Sequence, residues 1–259
     1  MKRLSPFLLI LIYLHAANVQ AQDSRAGQAP AFEIPAGPLL HAAPDFAQWT
    51  TQYSYPDDTK KDGTDAAAAK NVPLPGNLAN RPRTLVTTKT RDVIHMETTT
   101  VGGAVTDAWQ IKGDCWVKYP GKALWTGYTA SNPTEIVGKL RATLLLPASG
   151  FRDLTWLDKD AYAGRTKSEW GDCYVFLPGG HAANADISKG ILDAAPIIAY
   201  VDAQTRLPVM VRNPDGMRVF KFVQPPPTSV LQIPDVLVGE IKETNAVQVQ
   251  RNAAPSREY

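Results

Sequence analysis

The chain has 259 residues, of which 44% are hydrophobic and 20% charged, with 27 basic and 25 acidic side chains. This composition excludes a disordered, collagen-like or coiled-coil protein and provides enough apolar residues for a sizeable core. The presence of only two cysteines excludes a disulfide-rich miniprotein.

The first 21 residues are typical of a secretory signal peptide. Lys2 and Arg3 supply the positive start, an apolar stretch covers residues 7–17, and small residues flank Gln20 where signal peptidase would cleave. A retained membrane anchor is the alternative, although the apolar stretch is short for a bilayer span. We therefore predict an exported protein, periplasmic or extracellular, with no transmembrane segment in its mature chain.

Removal of the signal peptide also balances the charge. Residues 1–21 hold two basic and no acidic side chains, so 25 of each sign remain. A neutral chain has no overall field that attracts polyanions, and the sequence has no basic run. We therefore expect no binding to nucleic acid.

The first part of the remaining chain is predicted to pass from a flexible lead-in to a strand. Residues 22–43 are rich in Ala, Gly and Pro, whereas Trp49, Tyr53 and Tyr55 alternate with polar residues at the period of a half-buried strand. Residues 56–82 interrupt the pattern with an acidic and lysine cluster, an alanine run and two prolines. We interpret them as a surface loop insertion rather than a calcium loop, because the EF-hand ligand positions are not met.

The middle of the chain predicts further strands and one amphipathic helix. Residues 84–119 are dense in Thr, Val and Ile with turn signals between, and a short strand is expected around 124–128. An N-cap signal at 132–135, apolar residues at helical spacing and Pro147 together predict a helix of about 13 residues. Residues 154–157 and 165–177 are also strand-like.

The last third predicts an antiparallel meander with strands at 197–201, 207–212 and 217–223. Its third strand places Val219 on one face and Phe220 and Phe222 on the other. Since an open sheet with one wet face should not be apolar on both sides, we expect each face to be covered by helices, other chain segments or a ligand. A proline run then ends the sheet, and residues 244–259 are predicted as a polar, mobile tail.

The two cysteines occur in a short sequence pattern that appears twice in the chain, G-D-C-aromatic-V-x-x-P-G. Cys115 lies in one copy and Cys173 in the other, 58 residues apart. Two cysteines of an exported protein are candidates for a disulfide, provided that their strands are neighbours. The alternative is a pair of buried thiols in the core. We expect no catalytic thiol, because nothing nearby in the sequence would depress a thiol pKa.

The sequence contains no established catalytic, phosphate-binding or metal-binding motif, so we predict no catalytic residues, no metal site and no cofactor. The histidines that remain after the signal peptide have ordinary settings, and His95 is expected to be a satisfied sheet residue. The tryptophans are the other candidates for a functional role, because aromatic side chains on a curved sheet can line a hydrophobic cavity or stack on sugars. The ligand-lining candidates are Trp109, Trp116, Trp125, Trp156, Phe220 and Phe222.

Together these features resemble the periplasmic lipoprotein-carrier superfamily, the LolA/LolB-like proteins that include RseB-type domains. The resemblance rests on the export signal, the W-x-x-x-Y-x-Y strand, the meander with one helix, and residues 199–209, which match the hairpin pattern aromatic-hydrophobic-D-x-x-T-x-L-P-V. It implies a mainly β, α+β fold: a strongly curved antiparallel sheet, an open half-barrel, with one or two helices on the concave side. It covers roughly residues 44–236, and we expect one such domain over 44–243.

The leading functional hypothesis is an exported envelope protein that binds a lipid, a lipidated protein or another hydrophobic ligand without catalysis. The second hypothesis is a carbohydrate-active protein or other hydrolase that uses carboxylates and tryptophans, which requires two facing carboxyls in a polar cleft. The third is a structural module that binds another protein through a sheet edge.

Overall fold

The architecture is visible in a computed structural model that describes residues 34–56, 76–130, 135–178, 192, 195–223 and 231–253. Residues Ala36–Tyr259 form one compact unit by their contacts. The predicted signal peptide and most of the predicted insertion at 56–82 lie outside the described residues.

Eleven described strands form a single antiparallel sheet, and three helices have described bounds. The strands are β1 (Ala47–Ser54), β2 (Pro82–Lys89), β3 (Val93–Thr100), β4 (Val105–Ile111), β5 (Asp114–Lys118), β6 (Thr126–Tyr128), β7 (Tyr162–Ser168), β8 (Gly171–Phe176), β9 (Ile198–Asp202), β10 (Pro208–Asn213) and β11 (Gly216–Phe222). The helices are α1 (Gly76–Ala79), α2 (Glu135–Leu144) and α3 (Asp235–Ala253).

The strand order is β6-β5-β4-β3-β2-β1-β11-β10-β9-β8-β7. Two meanders, β1 to β6 and β7 to β11, are therefore joined where the first strand pairs with the last, with Thr51 opposite Phe220. Because β6 and β7 are the two outer edges, the chain between them must cross the sheet. That crossing places α2 and residues 145–161 over one face of the sheet.

The pairing register divides the sheet into two faces. The pocket face carries Thr51, Leu85, Met96, Ala108 and Val117 in adjacent strands. The opposite face carries the alternating residues, for example Trp109 paired with Trp116.

The two longer helices pack against different faces of the same end of the sheet. On the pocket face, Val137 and Leu144 of α2 contact a cluster that includes Ile94, Cys115 and Tyr128. On the opposite face, Leu237 of α3 is completely buried against tryptophans of β4 and β5. Strands β3, β4 and β5 are therefore apolar on both sides, which only a three-layer arrangement permits.

The predicted fold class is confirmed: the protein is mainly β, with an open, curved antiparallel sheet that is not closed into a barrel. The meander of the last third is confirmed within one or two residues at each strand end. The prediction that both faces of β11 are covered also holds, because Val219 belongs to a buried cluster and Phe220 packs against Phe151. Within the described residues no helix is long and apolar enough to cross a bilayer.

Several local predictions were wrong. Residues 154–157 form turns rather than a strand, and their apolar character reflects burial of Leu154 and Leu157 within an irregular segment. The stretch 165–177 is a hairpin of two strands, β7 and β8, with its turn at Glu169 and Trp170. The predicted insertion contains α1, and β2 already begins at Pro82.

The two predicted flexible ends are described only in part, because residues 22–33 and 254–259 lie outside the described residues. In the lead-in, Leu39 and Ala43 are buried, and the His41 N–H donates to the Arg206 carbonyl at 2.8 Å. At the other end, residues 244–253 continue α3 instead of forming a mobile tail. That part of α3 has no apolar stripe. The contacts of α3 with the sheet come from its first two turns, through Leu237 and half-buried Ile241.

Candidate functional site

A cavity of about 230 Å³ lies on the pocket face, and a larger pocket of about 790 Å³, with a more polar lining that includes Lys167, Glu169 and Arg212, lies on the opposite face. The floor of the pocket-face cavity comes from strands β1 to β5 and β11, and its roof comes from the end of α2 and the segment that follows. The floor residues are Thr51, Tyr53, Pro82, Leu85, Thr87, Met96, Thr98, Thr106, Ala108, Val117, Arg218 and Phe220, beside Tyr119 at the end of β5. The roof residues are Leu144, Leu146, Gly150, Phe151 and Arg152.

The roof is fixed by close packing around Gly150. This residue has φ of +80°, and a Cβ added to it would lie 2.9 Å from the Ala43 Cβ, so only glycine fits without a shift. The Ala43 N–H donates to the Ser149 carbonyl at 2.8 Å, which ties the roof to the lead-in. Next along the chain, Phe151 packs its ring 5.6 Å from the ring of Trp49. The cavity is therefore pre-formed.

The cavity wall is apolar except for a few polar groups. Tyr119 shares a hydrogen bond of 2.8 Å between its hydroxyl and that of Tyr128. Burial raises the pKa of Tyr128 to about 12, and this hydrogen bond adds to the shift. Thr87 is 1% exposed, and its hydroxyl has no hydrogen-bond partner among the described residues.

Two arginines contribute positive charge to the lining, and no carboxylate lines it among the described residues. Arg152 donates from Nη2 to the Leu144 carbonyl, and its buried Nε has no partner there. Arg218 lies 3.5 Å from the exposed carboxylate of Asp153, measured from Nη1 to Oδ2. The cavity thus combines an apolar wall with a net positive charge.

Of the six aromatic residues predicted to line a ligand site, Phe220 alone is in the cavity lining. Phe222 is on the same face but stacks on Trp49, with ring centroids 5.7 Å apart. Trp156 is in a turn within 151–161 rather than on a strand. The other three tryptophans lie on the opposite face.

Those three tryptophans, Trp109, Trp116 and Trp125, form a buried cluster under Leu237 of α3. The backbone N–H of Trp125 donates to Oε2 of Glu240 at 2.9 Å, which joins the helix to the cluster. The cluster is covered by Leu237 of α3, so these three predicted ligand-lining residues lie outside the pocket-face cavity.

His95 flanks the tryptophan cluster on the opposite face. Its ring stacks on Trp109 at 4.4 Å, and its Nε2 lies 2.7 Å from Oδ1 of Asp107. Asp107 is the neighbour that the sequence did not identify, and the pair fits the expectation of a satisfied sheet histidine. Groups of three or more metal-ligating side chains are absent from the described part of the chain.

The predicted disulfide is not formed: Cys115 and Cys173 are both buried free thiols. Seven strands lie between β5 and β8, and adjacent strands are about 4.8 Å apart, whereas a disulfide needs Cα atoms within roughly 7 Å. The two residues also belong to clusters on different faces. Burial raises the pKa of Cys115 to about 11 and also raises that of Cys173, so both thiols stay protonated and unreactive at neutral pH.

Sequence reasoning missed the arginines and threonines of the lining. Arg218 alternates with Phe220 and Phe222 on one face of a strand, and a charged residue on an otherwise apolar face was a usable signal. Arg152 had no such signal, because its position depends on the segment that crosses the sheet.

Comparison of the chain with protein-family models, with curated proteins and with solved structures found no match.

Proposed function

We propose that the protein is an exported, non-catalytic binding protein that holds one hydrophobic chain or a small apolar molecule in the pocket-face cavity. The observation that carries this proposal is the pre-formed cavity itself, floored by six strands and closed over by Phe151 and the end of α2. Ligand sites of this kind are mostly apolar with a few placed polar groups.

The size of the cavity limits the ligand. At about 230 Å³ it exceeds the roughly 150 Å³ apolar cavity that accepts benzene, and it is smaller than the roughly 300–1,000 Å³ of drug-sized pockets. One alkyl chain fits this range better than a bundle of acyl chains. Each buried methylene would contribute about 0.8 kcal/mol, so a chain of moderate length needs no covalent attachment.

The cellular setting is part of the same proposal. The N-terminal signal pattern supports export, and the periplasm fits the resemblance to LolA/LolB-like carriers. An open antiparallel sheet with a helix over one face is consistent with that resemblance. A lipidated protein that inserts one chain is a possible source of the ligand, beside free lipid.

The hydrolase alternative finds little support in the cavity. Two facing carboxyls are needed for glycoside hydrolysis, and no Asp or Glu lines the cavity among the described residues. Three of the six tryptophans are covered by α3, and Trp170 lines the larger pocket on the opposite face, where Glu169 is the one carboxylate among the described lining residues.

Native mass spectrometry, followed by solvent extraction, tests the proposed function. We expect protein purified without detergent to carry one apolar molecule per chain, released on denaturation. Stripped protein should take up a neutral hydrophobic dye with a stoichiometry of one. Ligand-free protein that also fails to bind the dye would refute the proposal.

A further inference from the structure

We propose that the cavity selects an anionic amphiphile: a single alkyl chain that ends in a carboxylate or a phosphate monoester, held by Arg152 and Arg218. This inference rests on the proposed function and adds the chemistry of the ligand's polar end. It follows from two arginines in the cavity lining: among the described residues, the buried Nε of Arg152 has no acceptor, and Arg218 pairs only with the exposed carboxylate of Asp153.

The first group is the guanidinium of Arg152. Nη2 donates to the backbone carbonyl of Leu144, which holds the side chain against the roof. Nε is buried and has no acceptor, and no carboxylate pairs with Arg152 in the described part of the chain. The Arg152 side chain is half-buried, and a bound anion would supply an acceptor for the buried Nε together with a counter-charge.

The second group is Arg218 on β11. Its side chain is 16% exposed, and its one recorded carboxylate contact is Asp153, which is 78% exposed and 3.5 Å away. An ion pair with such an exposed partner is weak, so it leaves most of the positive field available to the cavity. Arg218 is also directly opposite Tyr53 in the β1–β11 pairing.

Tyr53, Arg218 and Arg152 are part of one cavity lining, with Arg218 opposite Tyr53 in the sheet and Arg152 in the roof. Burial raises the pKa of the Tyr53 hydroxyl, the positive charges of Arg218 and Arg152 oppose that rise, and the negative charge of Asp153 adds to it. Convergence of two cations favours an anion over a neutral head group.

The Thr87 hydroxyl is buried and, among the described residues, unpartnered in the floor of the same cavity, but it is not part of the proposed anion site. Thr87 pairs with Trp49 and Arg218 with Tyr53, so the two lie about 13 Å apart along the strands. The rest of the wall, including Met96, Val117 and Phe220, suits the alkyl chain. The volume admits one such chain.

Competition for a bound neutral dye, N-phenyl-1-naphthylamine, tests the inference with three probes of equal chain length: decanoate, decyl phosphate and decanol. We expect at least one anion to bind about tenfold or more tightly than decanol, which corresponds to about 1.4 kcal/mol. Whether decanoate or decyl phosphate binds better identifies the head group.

Variants assign the preference to the arginines. Arg152→Gln and Arg218→Gln should each reduce the preference for the anion to about threefold or less while dye binding persists. Arg165→Gln is the matched control, since Arg165 is an exposed β7 residue paired with Asp172 and is not in the lining. It should leave the preference unchanged.

The outcomes separate the two proposals. If the dye binds but decanol competes as well as both anions, the inference is wrong and the proposed function stands. If both arginine variants keep the full preference for the anion, the assignment to these residues is overturned. If neither dye nor probe binds, the proposed function fails and the inference fails with it. Circular dichroism checks folding, and should Arg152→Gln unfold, Arg218→Gln and the wild-type comparison still decide.

Discussion

Leu237→Asp should destabilise the protein by about 4 kcal/mol or more and release α3 from the sheet. Leu237 has no exposed surface and contacts the cluster of Trp109, Trp116 and Trp125. Loss of a buried leucine costs about 2–5 kcal/mol, and an unpaired carboxylate in an apolar site adds to that cost. Since whole domains are stable by about 5–15 kcal/mol, the effect should be large. Denaturant unfolding measures it, and tryptophan emission should shift to the red.

Val236→Asp is the matched control for this substitution. The residue is adjacent on the same first turn of α3, but it is 64% exposed. A carboxylate there faces solvent and interacts favourably with the helix N-terminus, so the stability should change by about 0.5 kcal/mol or less. If Leu237→Asp were as mild as Val236→Asp, α3 would not be docked on the tryptophans.

Ala108→Phe should abolish ligand binding and leave the fold intact. Ala108 lies in the cavity floor between Met96 and Val117, and a phenyl ring placed there would occupy space that the ligand needs. Because the ring enters an existing void, the stability cost should be no more than about 1–3 kcal/mol. Dye titration should show affinity at least about a hundredfold weaker than wild type, a loss of about 2.7 kcal/mol.

Val105→Phe is the control for the added ring. Val105 is on the same strand, β4, but it lies on the opposite face and is 46% exposed. Dye affinity should match that of the wild type. Equal binding by Ala108→Phe and wild type would place the ligand somewhere other than this cavity.

The sheet could be predicted from the sequence because its signals are local. Alternation, turn residues and the proline run specified β9 to β11 closely, and apolar residues on both faces of β11 predicted that both faces would be covered. The sequence could not show which chain segments cover the two faces of the sheet, since that depends on strand order. Only the β1–β11 pairing makes β6 and β7 the two edges and sends the chain across the pocket face.

The helix α3 illustrates a different limit. Its sequence beyond Glu243 is polar, and its docking depends on Leu237 and its neighbours rather than on a repeated stripe. A polar segment without apolar residues at helical spacing is typical of an irregular tail. Backbone hydrogen bonding nevertheless continues the helix once its first turns are anchored. The Pro234-Asp235 pair was the available start signal.

The site was less predictable than the sheet. Aromatic residues on strands were correctly expected to be buried, but the sequence did not show which face each would occupy relative to the cavity. Trp109 and Trp116 fill the opposite face, while smaller residues such as Thr87 and Ala108 leave the space on the pocket face. A cavity forms where side chains are small relative to the gap, which is a property of packing across strands rather than of one strand.

The most direct test of the account is to locate the bound chain by NMR. Intermolecular NOEs from the alkyl protons of bound decanoate should reach the methyl groups of Met96, Ala108 and Val117 on the pocket face. NOEs to Leu237 or Ile241 beneath α3, or to Met210 on the opposite face, would contradict the account, as would saturable binding with no NOE to the three pocket-face methyls.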